Sequence, residues 1–280
     1  MWIYLSMFIS IFEHVLRGYR WNLLMDSSGK KLTTYITTNV MIVSYFFALF
    51  IPRFNDIARC YLISKTNNIK ISTSLGTVFS ERIFDLISLL ILSAIFILIE
   101  FDLFYRFIEN YVLSNIEFNT TTYLLIFGSL IVLFFILRYF SKKSSFISSN
   151  LNEFKLGVLT IKENYKNKGF LISTFLLWLI YFLMGYVIFF SFTETTDLGV
   201  NAGIAVLVAG SIGMIVPVNA GIGAYHFLVA SILLSYNLDY ESGLFFATLL
   251  HTSQIVCLAI LGIISSIILF FKIKSNNEYS

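Results

Sequence analysis

The chain has 280 residues, 58% of them hydrophobic and only 12% charged, with a formal net charge of +3. A soluble domain carries about 25% charged residues, so the composition excludes an ordinary soluble protein and points to a polytopic membrane protein. The basic residues lie in loops between apolar segments, which gives no nucleic-acid-binding face, and two cysteines, Cys60 and Cys257, make no disulfide framework.

Residues 1–12 are apolar, without a basic leader or a small-residue cleavage site, so they read as a retained helix. It continues through Glu13 and His14 to Trp21, with Arg17 and Arg20 near its end. The next apolar run, 40–51, is too short to cross a core of about 30 Å comfortably. Pro52 stops it, and Arg53, Asn55, Asp56 and Arg59 follow. Residues 38–64 therefore read as a re-entrant hairpin that enters and leaves on one face. Residues 74–99 form a long helix whose first part carries Glu81, Arg82 and Asp85.

An acidic loop, 100–121, leads to a span over 122–137. The basic region 138–168 follows, where Ile147, Leu151, Phe154, Val158 and Ile161 recur at helical spacing, the pattern of an amphipathic helix in the membrane interface. Residues 170–192 span outward. Two apolar arms, 200–218 and 220–234, then flank a break that holds Pro217, Asn219, Gly221 and Gly223, and 242–271 make the last span. Prolines occur only at positions 52 and 217, one in each break.

Basic loops belong on the cytoplasmic side. The charge pattern then makes 38–64 and 200–234 hairpins of opposite orientation, facing each other across the membrane interior as in inverted-topology transporters. The fold class expected is an all-α polytopic integral membrane protein. It is a helix bundle of about five or six full spans with two opposed re-entrant, broken-helix hairpins. The whole chain, 1–280, reads as one transmembrane domain.

Three stretches resemble the transmembrane, flippase-like domain of lysylphosphatidylglycerol synthases and its stand-alone relatives. HVLRGYRWNLL (14–24) is similar to that family's arginine-tryptophan motif. LFIPRFNDIARCYLISKTNNI (49–69), running into GTVFSERIFDLISLL (76–90), is similar to its Pro-Gly-Arg-x-Gly-Glu-like turn, following Arg and Glu-Arg-x-x-Asp. IVPVNAGIGAYH (215–226) resembles its Pro-x-x-x-Gly-x-Gly segment. Asn55 stands where glycine is common, and Asp56 and His226 where glutamate is common. The soluble aminoacyltransferase domain of the full synthases is not within these residues. The resemblance thus implies translocation or handling of a membrane phospholipid or polyprenyl lipid in the bacterial cytoplasmic (inner) membrane, and not lysine transfer. A second copy or a separate transferase is the protein partner this reading allows.

The candidate lipid-binding residues are Pro52, Arg53, Asp56, Arg59, Glu81, Arg82, Asp85, Pro217, Asn219, Gly221, Gly223 and His226. Arg53, Asp56 and Arg59 are spaced by three and share a helical face. A guanidinium there suits bidentate contact with a lipid phosphate; the bland alternative is a set of headgroup-level anchors. Glu81, Arg82 and Asp85 could pair with Arg53 or Arg59 and fix the first hairpin, or form a snorkelling surface cluster. Asn219, Gly221 and Gly223 permit positive φ and close backbone approach, either to present helix N–H groups to an anion or only to pack a turn. The small residues Gly199, Gly203, Ala205, Ala209 and Gly213 fit close helix packing.

His226 can titrate near neutral pH; His226, His251 and Cys257 have spacings unsuited to a metal, so neither metal nor cofactor is expected. No P-loop, GxSxG, HExxH or DxD-like signature occurs, so ATP-driven transport and enzyme activity are not expected. Two other readings stay open. One is an accessory subunit presenting lipid to a separate transferase. The other is a lipid-modifying enzyme using Glu81, Asp85 or His226 as acid or base.

Overall fold

The computed structural model describes residues 1–107 and 145–278, and every regular element among them is helical. The expected span over 122–137, and the acidic residues Glu109 and Glu117, lie outside the described residues.

Helix α1 (Trp2–Ser27) is longer than its apolar start suggests, because its charged residues find partners inside the bundle. Helix α2 (Thr34–Ala48) begins at Thr33, whose side chain accepts from the Ile36 N–H at 3.4 Å. It is buried without a gap from Ile36 to Ser44, as befits a helix that is apolar all round. It stops short of Pro52, since the residue before a proline is pushed out of the helical region and proline brings no N–H. Helix α3 (Asn55–Asn67) packs back on α2 and ends at Asn68, which is left-handed at φ 53°. Helices α4 (Ile71–Ile99) and α5 (Phe101–Phe107) follow.

Helix α6 (Ser145–Asn164) bears out the amphipathic pattern as a helix. It does not stand alone at the surface: it packs on α4, where Gly76 and Gly157 meet so closely that a β-carbon on Gly157 would lie 2.7 Å from Gly76 Cα. Glu153 accepts from Lys70 Nζ at 2.6 Å and from Thr73 Oγ1 at 2.8 Å at the same crossing.

Helix α7 (Lys168–Tyr186) runs on through a 3-10 turn, Val187–Ser191. Helix α8 (Val200–Gly213), a short turn at Asn219–Gly221 and helix α9 (Ala224–Leu234) make the second hairpin. Its small residues act as spacers: a β-carbon on Gly203 would lie 2.7 Å from Phe182, and one on Gly213 would lie 2.7 Å from Tyr225 Cα. Gly199 meets nothing within 4 Å, so the expected Gly199–Gly203 pair contributes through Gly203 alone. Helix α10 (Tyr240–Glu278) closes the bundle, its start capped by Asp239, whose carboxylate accepts from the Ser242 N–H at 2.8 Å.

Among the described residues, three helical stretches are long and apolar enough to cross a membrane: Ile71–Ile99, Lys168–Ser191 and Tyr240–Ser275. This is fewer than the five or six expected. Helix α1 has the length but carries Glu13, Arg17 and Arg20 mid-helix. The four hairpin helices have 15, 13, 14 and 11 residues. At about 1.5 Å per residue each is roughly 17–23 Å long, less than a core of about 30 Å.

Candidate functional site

The sequence brings ten charged or aromatic side chains of α1, α3, α4 and α7 to one place. Turn spacing does the first part. Glu13, Arg17 and Arg20 lie along one stripe of α1, Asp56 and Arg59 open α3, and Glu81, Arg82 and Asp85 occupy successive positions of α4.

Glu81 is the centre of the cluster. One oxygen accepts from Arg20 Nη2 at 3.0 Å and the other from Arg59 Nη1 at 2.6 Å. All three side chains are at most 1% exposed. Arg20 Nη1 also reaches Asp85 at 2.6 Å. Asp56 accepts from Arg59 Nη2 at 3.0 Å and takes both Nη2 and Nε of Arg82, at 2.6 and 3.2 Å. Trp21 lies under Arg59, its ring 5.1 Å from the guanidinium carbon, and its indole N–H donates to Thr77 Oγ1 at 3.1 Å. On the next turn of α1, Arg17 pairs with Glu13 and donates to the Tyr181 hydroxyl. His14 Nδ1 is 2.7 Å from Glu13. The expected pairing of the Glu81–Asp85 segment with the first hairpin is present, and it runs through Arg59 and Asp56.

Arg53 is not part of this network. It sits at the tip of the first hairpin with φ 59°, a left-handed conformation that costs a residue with a β-carbon about 1–2 kcal/mol. It is exposed and forms no ion pair among the described residues. The structure therefore separates the two arginines that the sequence groups together. Arg59 is sealed in the core with both terminal nitrogens engaged by carboxylates, whereas Arg53 is free.

Arg53 faces a cavity of about 460 Å³. Arg17, Arg82 and Asp85 line its polar end, and apolar residues of α4, α7 and α8 line much of the rest. Met214 and Ile215, from the break of the second hairpin, are in its wall. The two breaks thus meet at one cavity. Three wall residues carry buried polar atoms without a partner among the described residues: Trp178 Nε1, His251 Nδ1 and Gln254 Oε1. Buried polar groups are ordinarily satisfied, so these atoms are available to something that fills the space.

The other predicted residues lie around this cavity rather than in its lining. Pro52, Pro217, Asn219 and Gly223 are exposed at the two turns. Positive φ falls on Ala220 (50°), Gly221 (77°) and Gly223 (91°), and Asn219 is not among the positive-φ residues. Gly221 is buried against Met214, whose sulfur a β-carbon at Gly221 would overlap. His226 stands behind the wall, its ring centroid 5.0 Å from that of His251. Arg17, Arg20, Glu13, Tyr181, Trp178 and Gln254 were not singled out by sequence. The two arginines could have been found in the arginine-tryptophan stretch, whereas Tyr181, Trp178 and Gln254 are isolated in apolar helices and give no pattern.

Fold and site together define a helical membrane protein in which two short-helix hairpins, each closed by a proline-containing turn, border one amphipathic cavity above a buried ion network. The chain belongs to the family described as Lysylphosphatidylglycerol synthase TM region, which matches residues 1–262. It is 30% identical over 204 residues to the UPF0104 membrane protein MJ1078 of Methanocaldococcus jannaschii, an alignment covering 71% of this chain and 82% of that protein. No solved structure matches the chain.

Proposed function

We propose that this protein is a lipid translocase that moves an anionic or polyprenyl-linked lipid between the leaflets of the bacterial cytoplasmic membrane, without chemically altering it. The observation that carries the reading is the charge balance at the cavity. Arg17, Arg20, Arg59 and Arg82 are matched by Glu13, Asp56, Glu81 and Asp85. Arg53 is a fifth cation at the same cavity without an ion-pair partner. An unpaired cation at membrane depth is expensive unless it serves a ligand, and a phosphate is the ligand a guanidinium fits. The unpartnered Trp178, His251 and Gln254 atoms would meet the polar remainder of the headgroup. The apolar part of the wall suits the start of the acyl or prenyl chains, whose ends stay in the bilayer.

In this reading both hairpins are re-entrant, and their tips form the seam through which the headgroup passes. Membrane lipid is the ligand, and neither metal nor cofactor takes part. Basic residues of α6 and its neighbourhood, Lys155, Lys162, Lys166 and Lys168, hold anionic lipid on the cytoplasmic face.

Mass spectrometry of lipids that co-purify in mild detergent tests the site. Wild type is expected to enrich one headgroup class over bulk membrane, and Arg53→Ala to lose that enrichment about tenfold, the loss of one charge-assisted contact of about 1.5 kcal/mol. Arg53→Lys should keep part of it, because lysine retains charge without the bidentate fork. A bulk-membrane profile in both wild type and Arg53→Ala would remove the basis for a headgroup site at the first hairpin. A liposome assay of headgroup exposure then follows movement itself.

A further inference from the structure

We propose that His226 is a proton-sensitive latch on the second hairpin, and that its protonation releases the start of α9 and with it one wall of the cavity. The inference uses the cavity geometry and does not depend on what the cavity carries.

The latch is a single hydrogen bond. The backbone N–H of Gly223, the residue before α9, donates to His226 Nδ1 at 3.3 Å. Glycine at this position has φ 91° and supplies no side-chain cap of its own. His226 reaches back one turn to do the work, as a glutamine or glutamate does in a capping box. An imidazole can accept at Nδ1 only while that nitrogen carries no proton. The cationic form presents an N–H there, so two donors face each other and the bond is lost. The same positive charge opposes the helix dipole at the N-terminus of α9. Both effects act in one direction: the latch holds when His226 is neutral and opens as pH falls through its titration.

An alternative partner for the cationic ring is in place. His251, on α10, has its ring centroid 5.0 Å away, is nine-tenths buried, and has no partner for Nδ1 among the described residues. His226 can thus exchange a bond to the hairpin backbone for a bond to the cavity wall. Tyr225 transmits the change. It lines the cavity, packs on His251 at 4.8 Å, and sits so close to Gly210 and Gly213 that a β-carbon on either would lie 2.7 Å from it. Movement at the start of α9 therefore moves this ring against both α8 and α10.

The elements packed on α9 are α8 and α10. Helix α8 offers no titratable side chain; on α10, His251 faces His226, while Glu241 and Tyr240 stand at its start and Lys272 and Lys274 near its end. Across the cavity the charged groups are Arg17, Arg53, Arg82 and Asp85, on other elements.

Hydrogen exchange of the full chain in detergent, corrected for the intrinsic pH dependence of exchange, tests this over pH 5 to 8. Peptides covering 219–228 in the wild type should lose protection about five- to tenfold at the acid end, the effect of losing a helix cap. His226→Gln keeps an acceptor and cannot take up a proton in this range, so its protection should stay high and flat. A flat wild-type profile overturns the proposal, and so does a His226→Gln profile that still falls with pH. Should that variant fail to fold, nitrogen-15 spectra of the three histidines in the unaltered chain decide the matter. An Nδ1 of His226 that shows no change from acceptor to donor on acidification likewise overturns it.

Discussion

Glu81→Gln is expected to destabilise the protein by about 3 kcal/mol, the lower end for breaking a buried ion pair from one side. Glu81 is shared between Arg20 and Arg59, and all three are excluded from solvent. Glutamine keeps the shape, but it offers one carbonyl and one amino group where two guanidinium groups both require an acceptor. Each arginine retains a second carboxylate, Asp85 for Arg20 and Asp56 for Arg59, which limits the loss. What remains is one excess positive charge inside the bundle. Removing a cation as well should recover part of the stability, so Arg59→Met combined with Glu81→Gln should be more stable than the sum of the two single losses predicts. Thermal unfolding in detergent of the two single variants and the double variant measures this coupling. A Glu81→Gln protein as stable as wild type, or strictly additive losses, would mean that water reaches the cluster and that it is not the buried tie between α1, α3 and α4 described above.

How much of this was legible in the sequence depends on the range of the interaction. The two broken hairpins could be read because Pro52 and Pro217 punctuate apolar runs locally. Asp56 and Arg59, three apart, could be placed on one helical face, and so could Glu81 and Asp85, because a helix converts spacing into direction. Depth could not be read. Arg53 and Arg59 have the same chemistry and nearly the same neighbours in sequence, yet one is exposed at the cavity and the other is sealed under Trp21. That difference comes from α1, some forty residues away, and no periodicity encodes it. Arg17 and Arg20 look like ordinary helix-end anchors until α3, α4 and α7 are packed around them. The amphipathic stripe of α6 gave the helix but not its seat. Gly76 and Gly157, which bring α6 against α4, leave no mark in a hydrophobic pattern because they contribute nothing but an absence of side chain.

Gly18→Val is the substitution expected to do the most damage for the fewest atoms. Gly18 lies in the arginine-tryptophan stretch of α1 and is buried against α2, where a β-carbon would lie 2.7 Å from both Thr38 N and Thr38 Cα and would overlap its hydroxyl. Small residues let helices approach closely in membranes, where dispersion rather than water drives their association. Backbone atoms cannot rotate away, so a side chain here must push α1 and α2 apart. Gly18→Ala should cost about 1–3 kcal/mol, as for overpacking in a tight core, and Gly18→Val more than about 3 kcal/mol. The displacement also carries Arg17 and Arg20, on either side of Gly18, away from Tyr181, Glu81 and Asp85, so the ion network and the cavity rim are lost together. Thr38→Ala removes only the hydroxyl and should not rescue either variant. Thermal unfolding of Gly18→Ala, Gly18→Val and each with Thr38→Ala orders these effects. Full rescue by Thr38→Ala would show that the contact is with a side chain that can move, and that the α1–α2 separation is not set by glycine.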